Sequence, residues 1–280
     1  MPSFITSRNT RLSYSRNGQG QPLICVPGGP LLPATYLGDL GGLDQYAELV
    51  LFNLPGSDSA HERDLAFYRC DSVAEDLEEL RQHLGLQALR FFGHSAGANI
   101  VLRYAELHPE NVERLLLVAP STRAVGIDIT DDARSAVAQS RAREPWYERA
   151  AAALSRIQAG KASDQDWDAI APFSFGRWDQ AAAAYSAEMD ATQNPVAVAA
   201  FGAEGAFDPP ATRAALATLN VPVTILVGAV DIGLPVGTME ELAALFPAAD
   251  LVVQDGSGHF PWIDSPHEVV ALASHALSAR

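Results

Sequence analysis

Short uninterrupted apolar runs alternate with longer amphipathic stretches along most of this 280-residue chain. The runs at 22–26 and 48–53 lack polar alternation, which predicts strands buried on both faces. Residues 12–15 do alternate and read as an early edge strand, with Asn17-Gly18 as a turn behind it. Ser72, Val73, Asp76, Leu77, Leu80 and Leu84 form one mainly apolar stripe of a helix over 71–84, which Gly85 ends. A strand at 88–92, a helix at 99–107 stopped near Pro109, and a strand at 114–118 follow. After Pro120 the character changes: residues 121–210 are Ala-rich, with charges, tryptophans and helical periodicity but no buried-strand run. The first pattern returns as a strand at 223–227, a helix at 239–246, a strand at 250–253 and a helix at 267–277. Strands alternating with helices predict an α/β fold, a mostly parallel sheet with helices on both faces. The expected organisation is a core of residues 1–120 and 211–280, with a helical cap of residues 121–210 inserted into it.

The candidate chemistry lies where the predicted strands end. Gly93-His94-Ser95-Ala96-Gly97 falls between a strand and a helix, the setting of a nucleophile elbow. A turn that tight admits only small neighbours, strains the serine backbone and lifts its hydroxyl clear of the sheet. Asp231 follows the strand that runs into Gly228, and His259 follows the last strand. Ligands of open parallel sheets bind at such carboxyl ends. Ser95, Asp231 and His259 are therefore the candidate triad. A serine hydroxyl is too weak an acid to attack a carbonyl unaided; His259 would take its proton, and Asp231 would fix the imidazole tautomer. Asp208 and Asp264 are rivals for the carboxylate. The early loop Pro27-Gly28-Gly29-Pro30 supplies a further candidate. The N–H groups of Gly29 and Ala96 are the expected oxyanion hole, one from that loop and one from the residue after the nucleophile.

Composition narrows the partners. With 48% hydrophobic residues the chain can bury a sizeable core. A net charge of −15 repels phosphate backbones, so nucleic acid is discounted. Cys25 and Cys70 make neither a disulfide framework nor a metal motif, and reduced thiols are expected. The first fifteen residues lack the apolar core of a signal peptide, and no run approaches membrane-spanning length, so a soluble cytoplasmic protein is expected. No metal and no cofactor are expected. The remaining histidines, His61, His83, His108, His267 and His275, read as surface residues without ligand spacing, and His94 as a packing or hydrogen-bonding residue of the elbow.

Gly28-Gly29-Pro30, Asn-Leu-Pro-Gly-Ser-Asp-Ser at 53–59, the elbow, Asp231 and Gly-His-Phe-Pro-Trp at 258–262 together resemble the α/β-hydrolase superfamily over essentially the whole chain. The Gly-Gly-Pro loop and the mid-chain cap are similar to the prolyl aminopeptidases, or proline iminopeptidases. That resemblance implies removal of an N-terminal proline by a Ser-Asp-His triad, with acidic cap residues holding the substrate amine. The chain departs from that branch at Pro27, Leu31, Ala96 and Asn53, where the branch usually has His, Gly, Trp and Asp.

The expected function is a cofactor-free serine hydrolase acting on a small ester or amide, with proline iminopeptidase-like activity close behind. A carbon–carbon bond hydrolase using the same triad, a haloperoxidase-like side activity and a low-turnover ligand-binding protein on the same fold are the alternatives. The expected partner is a small-molecule or short-peptide substrate; the sequence leaves the oligomeric state open. Trp146, Trp178, Glu188 and Glu204 are cap candidates for substrate binding, with Trp167 a further tryptophan that packs or faces the cleft.

Overall fold

The apolar runs assemble into one sheet in the computed structural model, which describes residues 1–57 and 64–278. Its strands are β1 (Ser3–Ile5), β2 (Arg11–Asn17), β3 (Pro22–Val26), β4 (Glu48–Asn53), β5 (Leu89–His94), β6 (Val112–Val118), β7 (Val223–Gly228) and β8 (Ala249–Gln254). Their order across the sheet is β1-β2-β4-β3-β5-β6-β7-β8. The pairs β1–β2 and β2–β4 are antiparallel, and every other pair is parallel. The strand expected at the edge is β2, and it lies one place inside: β1 covers it. With three residues, β1 is too short to show a period of two.

Among the described residues the α-helices are α1 (Cys70–Leu84), α2 (Ala96–Leu107), α3 (Asp131–Ser140), α4 (Tyr147–Gln158), α5 (Asp164–Ile170), α6 (Gln180–Thr192), α7 (Pro195–Phe201), α8 (Pro209–Leu216), α9 (Val236–Ala243), α10 (Pro261–Asp264) and α11 (Pro266–Ser278). Alternate residues of each central strand point to opposite faces. Ile24, Phe91, Leu115 and Ile225 pack with α1, α2, α8 and α9. Leu23, Phe92, Leu116 and Leu226 pack on the other side, with α11. Each such side chain, fully buried, contributes about 1.5–3 kcal/mol relative to exposure. Both faces are covered, which is why the runs show no alternation.

Two polar devices hold the helices that carry the site. Glu78 on α1 accepts two bonds from Arg81, at 2.8 and 2.7 Å, and one from the Tyr104 hydroxyl on α2 at 2.9 Å. The Arg81 guanidinium holds the Glu78 carboxyl down at about 2. At the other face, Arg90 and Arg114 donate to the carbonyls of Leu277 and Ala276, the last turn of α11, whose acceptors have no partner within the helix.

Boundaries moved where the sequence signal was local. Helix α2 begins at Ala96, directly after the elbow serine and before the expected 99. Helix α9 starts earlier than expected, just after Pro235. Between β6 and β7 lie α3 to α8, with no strand among the described residues. Helix α8 crosses the expected end of the cap at 210, and its Leu216 is buried in the core under the sheet.

Candidate active site

The elbow is built by glycines that must be glycines. A Cβ on Gly97 would stand 2.4 Å from the carbonyl oxygens of Val26 and Pro27, and one on Gly28 would stand 2.8 Å from the Ser95 Cβ. Helix α2 therefore crosses directly over the end of β3. Ser95 takes φ 51° and ψ −121° in this turn, a region that L residues avoid. Its N–H donates to the Val118 carbonyl at 3.1 Å, and its own carbonyl accepts from Ser121 at 3.0 Å, so the neighbouring strand end holds the strained residue.

The loops after β7 and β8 bring two more residues to this point. Asp231 is 2% exposed; its Oδ1 accepts the Gly233 N–H at 2.7 Å, and its Oδ2 lies 2.6 Å from His259 Nδ1. His259 Nε2 lies 2.9 Å from Ser95 Oγ. A carboxylate at Nδ1 keeps the proton there, leaving Nε2 unprotonated and turned to the hydroxyl. The two rival aspartates do other work. Asp208 caps α8 through the Ala211 N–H at 3.1 Å. Asp264 Oδ2 accepts the N–H groups of Gly176 and Gly258, both at 2.8 Å, so it clasps the histidine loop to the segment after α5. The His259 N–H adds a bond to the Ser174 carbonyl at 2.8 Å.

A second histidine backs the first. His94 is buried at the end of β5. The Gly28 N–H donates to the Tyr36 hydroxyl at 2.7 Å, and that hydroxyl donates to His94 Nδ1 at 2.7 Å. His94 Nε2–H then donates to the His259 carbonyl at 2.9 Å. This chain ties the early glycine loop to the backbone of His259, and it requires a neutral His94. Burial first, and the neighbouring His259 second, hold His94 well below the ordinary histidine range. In the unfolded chain the same group takes up a proton near pH 6.5. Its contribution to stability is thus complete above that value and is lost as pH falls below it, by at most about 1.4 kcal/mol per pH unit. Melting temperatures taken between about pH 7.5 and about pH 5 should fall less steeply in His94→Gln than in the parent. Parallel slopes in the two proteins would contradict this.

Gly29 has φ 118° and borders the cleft at Ser95. Neither its N–H nor that of Ala96 has a hydrogen-bond partner among the described residues, whereas the Gly28 N–H is taken by Tyr36. Ala96 also opens α2, where the helix dipole favours negative charge.

The cleft over these groups has two lobes. One, of about 360 Å³, reaches Ser95, Gly29, His94 and His259. The other, of about 480 Å³, lies beside Asp231 and His259. Both share Trp167, Ile170, Ser174 and His259 as walls. None of the four cap candidates lines either lobe. Trp146 packs edge-on against Phe173, Trp178 packs on Phe175, Glu188 borders a separate pocket near Tyr36, and Glu204 is exposed in the loop after α7. Residues 21–266 match the alpha/beta hydrolase fold family over most of the chain.

The chain belongs to that family. It is 29% identical to a proline iminopeptidase of Heyndrickxia coagulans over 125 residues, 43% of each chain. An uncharacterized protein of Mycobacterium tuberculosis is 26% identical over 286 aligned positions, covering 98% of this chain and 80% of that one. The match to the iminopeptidase thus spans less than half its length. Among solved structures, the esterase RhEst1 from Rhodococcus sp. ECU1013 superposes with a TM-score of 0.75 at 18% identity, covering 99% of this chain and 98% of that one, and so shares the fold.

Residues around this site that the sequence did not announce include Tyr36, Asp190 and Gln193. Tyr36 sits in a 3-10 turn, and Asp190 and Gln193 belong to the end of an Ala-rich helix that has no strongly apolar face to orient it. Among the described residues no group of three His, Cys, Asp or Glu side chains could hold a metal, and no helix is long and apolar enough to cross a membrane. Cys25 and Cys70 are buried and free, and burial pushes both thiols up. His61 and residues 58–59 of the 53–59 motif lie outside the described residues. His83, His267 and His275 are exposed, as expected, while His108 is half-buried against Tyr104.

Proposed function

We propose that this alpha/beta hydrolase cleaves an ester or amide bond of a small molecule with Ser95 as nucleophile. The observation that carries the reading is the unbroken line from Asp231 through His259 to Ser95 at the floor of an open cleft. Ser95 Oγ bonds to the acyl carbon as its proton passes to His259 Nε2. The amides of Gly29 and Ala96 receive the oxyanion. The bond to the leaving group then breaks, and that group departs with the proton from His259. Water gives a proton to His259 and attacks the acyl carbon; the acyl–Oγ bond breaks, and Ser95 recovers its proton. One water is consumed, and an acid and an alcohol or amine are released. Residues 121–210 act as the cap that selects the substrate.

A second reading, release of an N-terminal residue from an amide or short peptide, draws on Asp190 as well as on the iminopeptidase relative. Asp190 lines the lobe at Ser95; it stays exposed, but partial desolvation against the lobe, with nearby Asp168, raises its carboxyl above the usual range. A carboxylate there would pair with a substrate amine. A panel of esters, lactones and amino-acid amides, proline amide included, tests both readings. Turnover of at least one acyl class is expected, and inactivity on all of them would contradict the proposal. Proline amide turnover with a KM raised in Asp190→Asn would favour the second reading.

A further inference from the structure

We infer that the lobe beside Asp231 and His259 receives the leaving group, and that Arg134 makes this hydrolase prefer leaving groups that carry a carboxylate. The inference rests on the serine-hydrolase reading and assigns the two arms of its cleft. The acyl carbon must lie within reach of Ser95 Oγ and the Gly29 and Ala96 amides, and Ser95 and Gly29 border the first lobe. The leaving atom must meet the proton on His259 Nε2, at the imidazole edge. Its substituent then extends past Trp167 and Ile170 into the lobe that His259 lines and Ser95 does not.

The chemistry of that lobe is specific. Leu154, Ile157 and Ile232 give it an apolar wall, and Arg134 is the one arginine or lysine lining either lobe among the described residues. In a chain with 34 acidic residues, no carboxylate among the described residues lies within 4.0 Å of this guanidinium. Its Nη1 reaches the carbonyls of Ile232 and Gly233 at 3.4 and 3.3 Å, longer than an ordinary N–H···O bond. Its Nε and Nη2 donate to no described residue, which leaves one edge of the fork open to a carboxylate. Asp131, one turn earlier on α3 and also bordering the lobe, is exposed and does not pair with it. The first lobe has Asp190 and no arginine or lysine, whereas the second sets Arg134 beside Asp131 and an Asp231 whose two oxygens are already engaged by Gly233 and His259.

Arg134 also bridges α3 to the Asp231 loop, so a purely structural role must be separated from recognition. Two esters with one acyl group do so: phenyl butyrate and 3-(butyryloxy)benzoate. The parent protein should show the higher kcat/KM for the carboxylate ester. In Arg134→Gln the ratio between the two esters should fall at least about tenfold, the value of one lost charge-assisted contact, and Arg134→Lys should restore part of it. Equal decline on both esters, or no preference in the parent, would overturn the inference. Binding of 3-hydroxybenzoate and phenol to the Ser95→Ala protein, read by calorimetry, needs no turnover. The acid should bind more tightly, and adding Arg134→Gln should remove that advantage. If neither these esters nor any member of the ester, lactone and amide panel is cleaved yet the acid still binds through Arg134, the serine-hydrolase reading fails while the anion site stands; if the acid shows no advantage, the site fails.

Discussion

Ser95→Ala lowers kcat by about 10⁴-fold or more on any substrate the parent cleaves, with the fold retained. The size follows from the cleft. Removing Oγ removes the hydroxyl that lies 2.9 Å from His259 Nε2, the one hydroxyl bonded to it among the described residues, so the imidazole would have no nucleophile to activate. The Gly29 and Ala96 amides, the proposed oxyanion hole, remain, and with substrate binding they would sustain the residual rate over water that such sites keep. Alanine is no larger than serine, so nothing in the elbow is displaced. Its backbone inherits the φ of 51°, held by the same bonds to Val118 and Ser121. Circular dichroism and melting should therefore match the parent within a few degrees. A variant that unfolds would make the lost activity uninformative, and one that retains full activity would remove Ser95 from the chemistry.

Asp231→Asn is the second large effect, a fall in kcat of about 10³ to 10⁴-fold. Asparagine fits the same 2%-exposed site, but the Gly233 N–H at 2.7 Å claims its carbonyl oxygen. The amide NH₂ then faces Nδ1 and demands an acceptor there. The proton moves to Nε2, which then points an N–H at Ser95 Oγ and cannot accept the serine proton. Asp264→Asn is the necessary comparison, because Asp264 lies near the same loop without touching the imidazole. It should lower stability by about 1–3 kcal/mol through the bonds to Gly176 and Gly258, and lower kcat far less than Asp231→Asn. The reverse ranking, measured on one ester, would assign the carboxylate role to Asp264.

The parts of this protein that were legible in its sequence are those set by short-range rules. Buried parallel strands are uninterrupted apolar runs because helices cover both faces, and β3 to β7 show it. The elbow was legible because its glycines answer a local steric demand, now seen as a Cβ clash with Val26 and Pro27. Ser95, Asp231 and His259 could be picked out because each closes a strand, and the structure brings those ends together. What the sequence hid depends on packing between distant elements. Tyr36 reaches His94 across 58 positions, and the Tyr185 hydroxyl reaches back from α6 to the Tyr36 carbonyl at 2.7 Å. The lining of the cleft turned on how α3, α5 and α6 lie over the sheet. Tryptophans and glutamates were chosen there by residue type, and type alone does not say which side of a short helix faces the cleft. Trp167 lines both lobes; Trp146 and Trp178 pack elsewhere.

The most direct test of the Ser95–His259–Asp231 line is covalent titration with a fluorophosphonate, followed by peptide mass spectrometry. The parent should take up one phosphonyl group, on the peptide carrying Ser95, at a rate that drops sharply in His259→Ala. An adduct on a different residue, or none at all in a preparation that hydrolyses an ester, would contradict it.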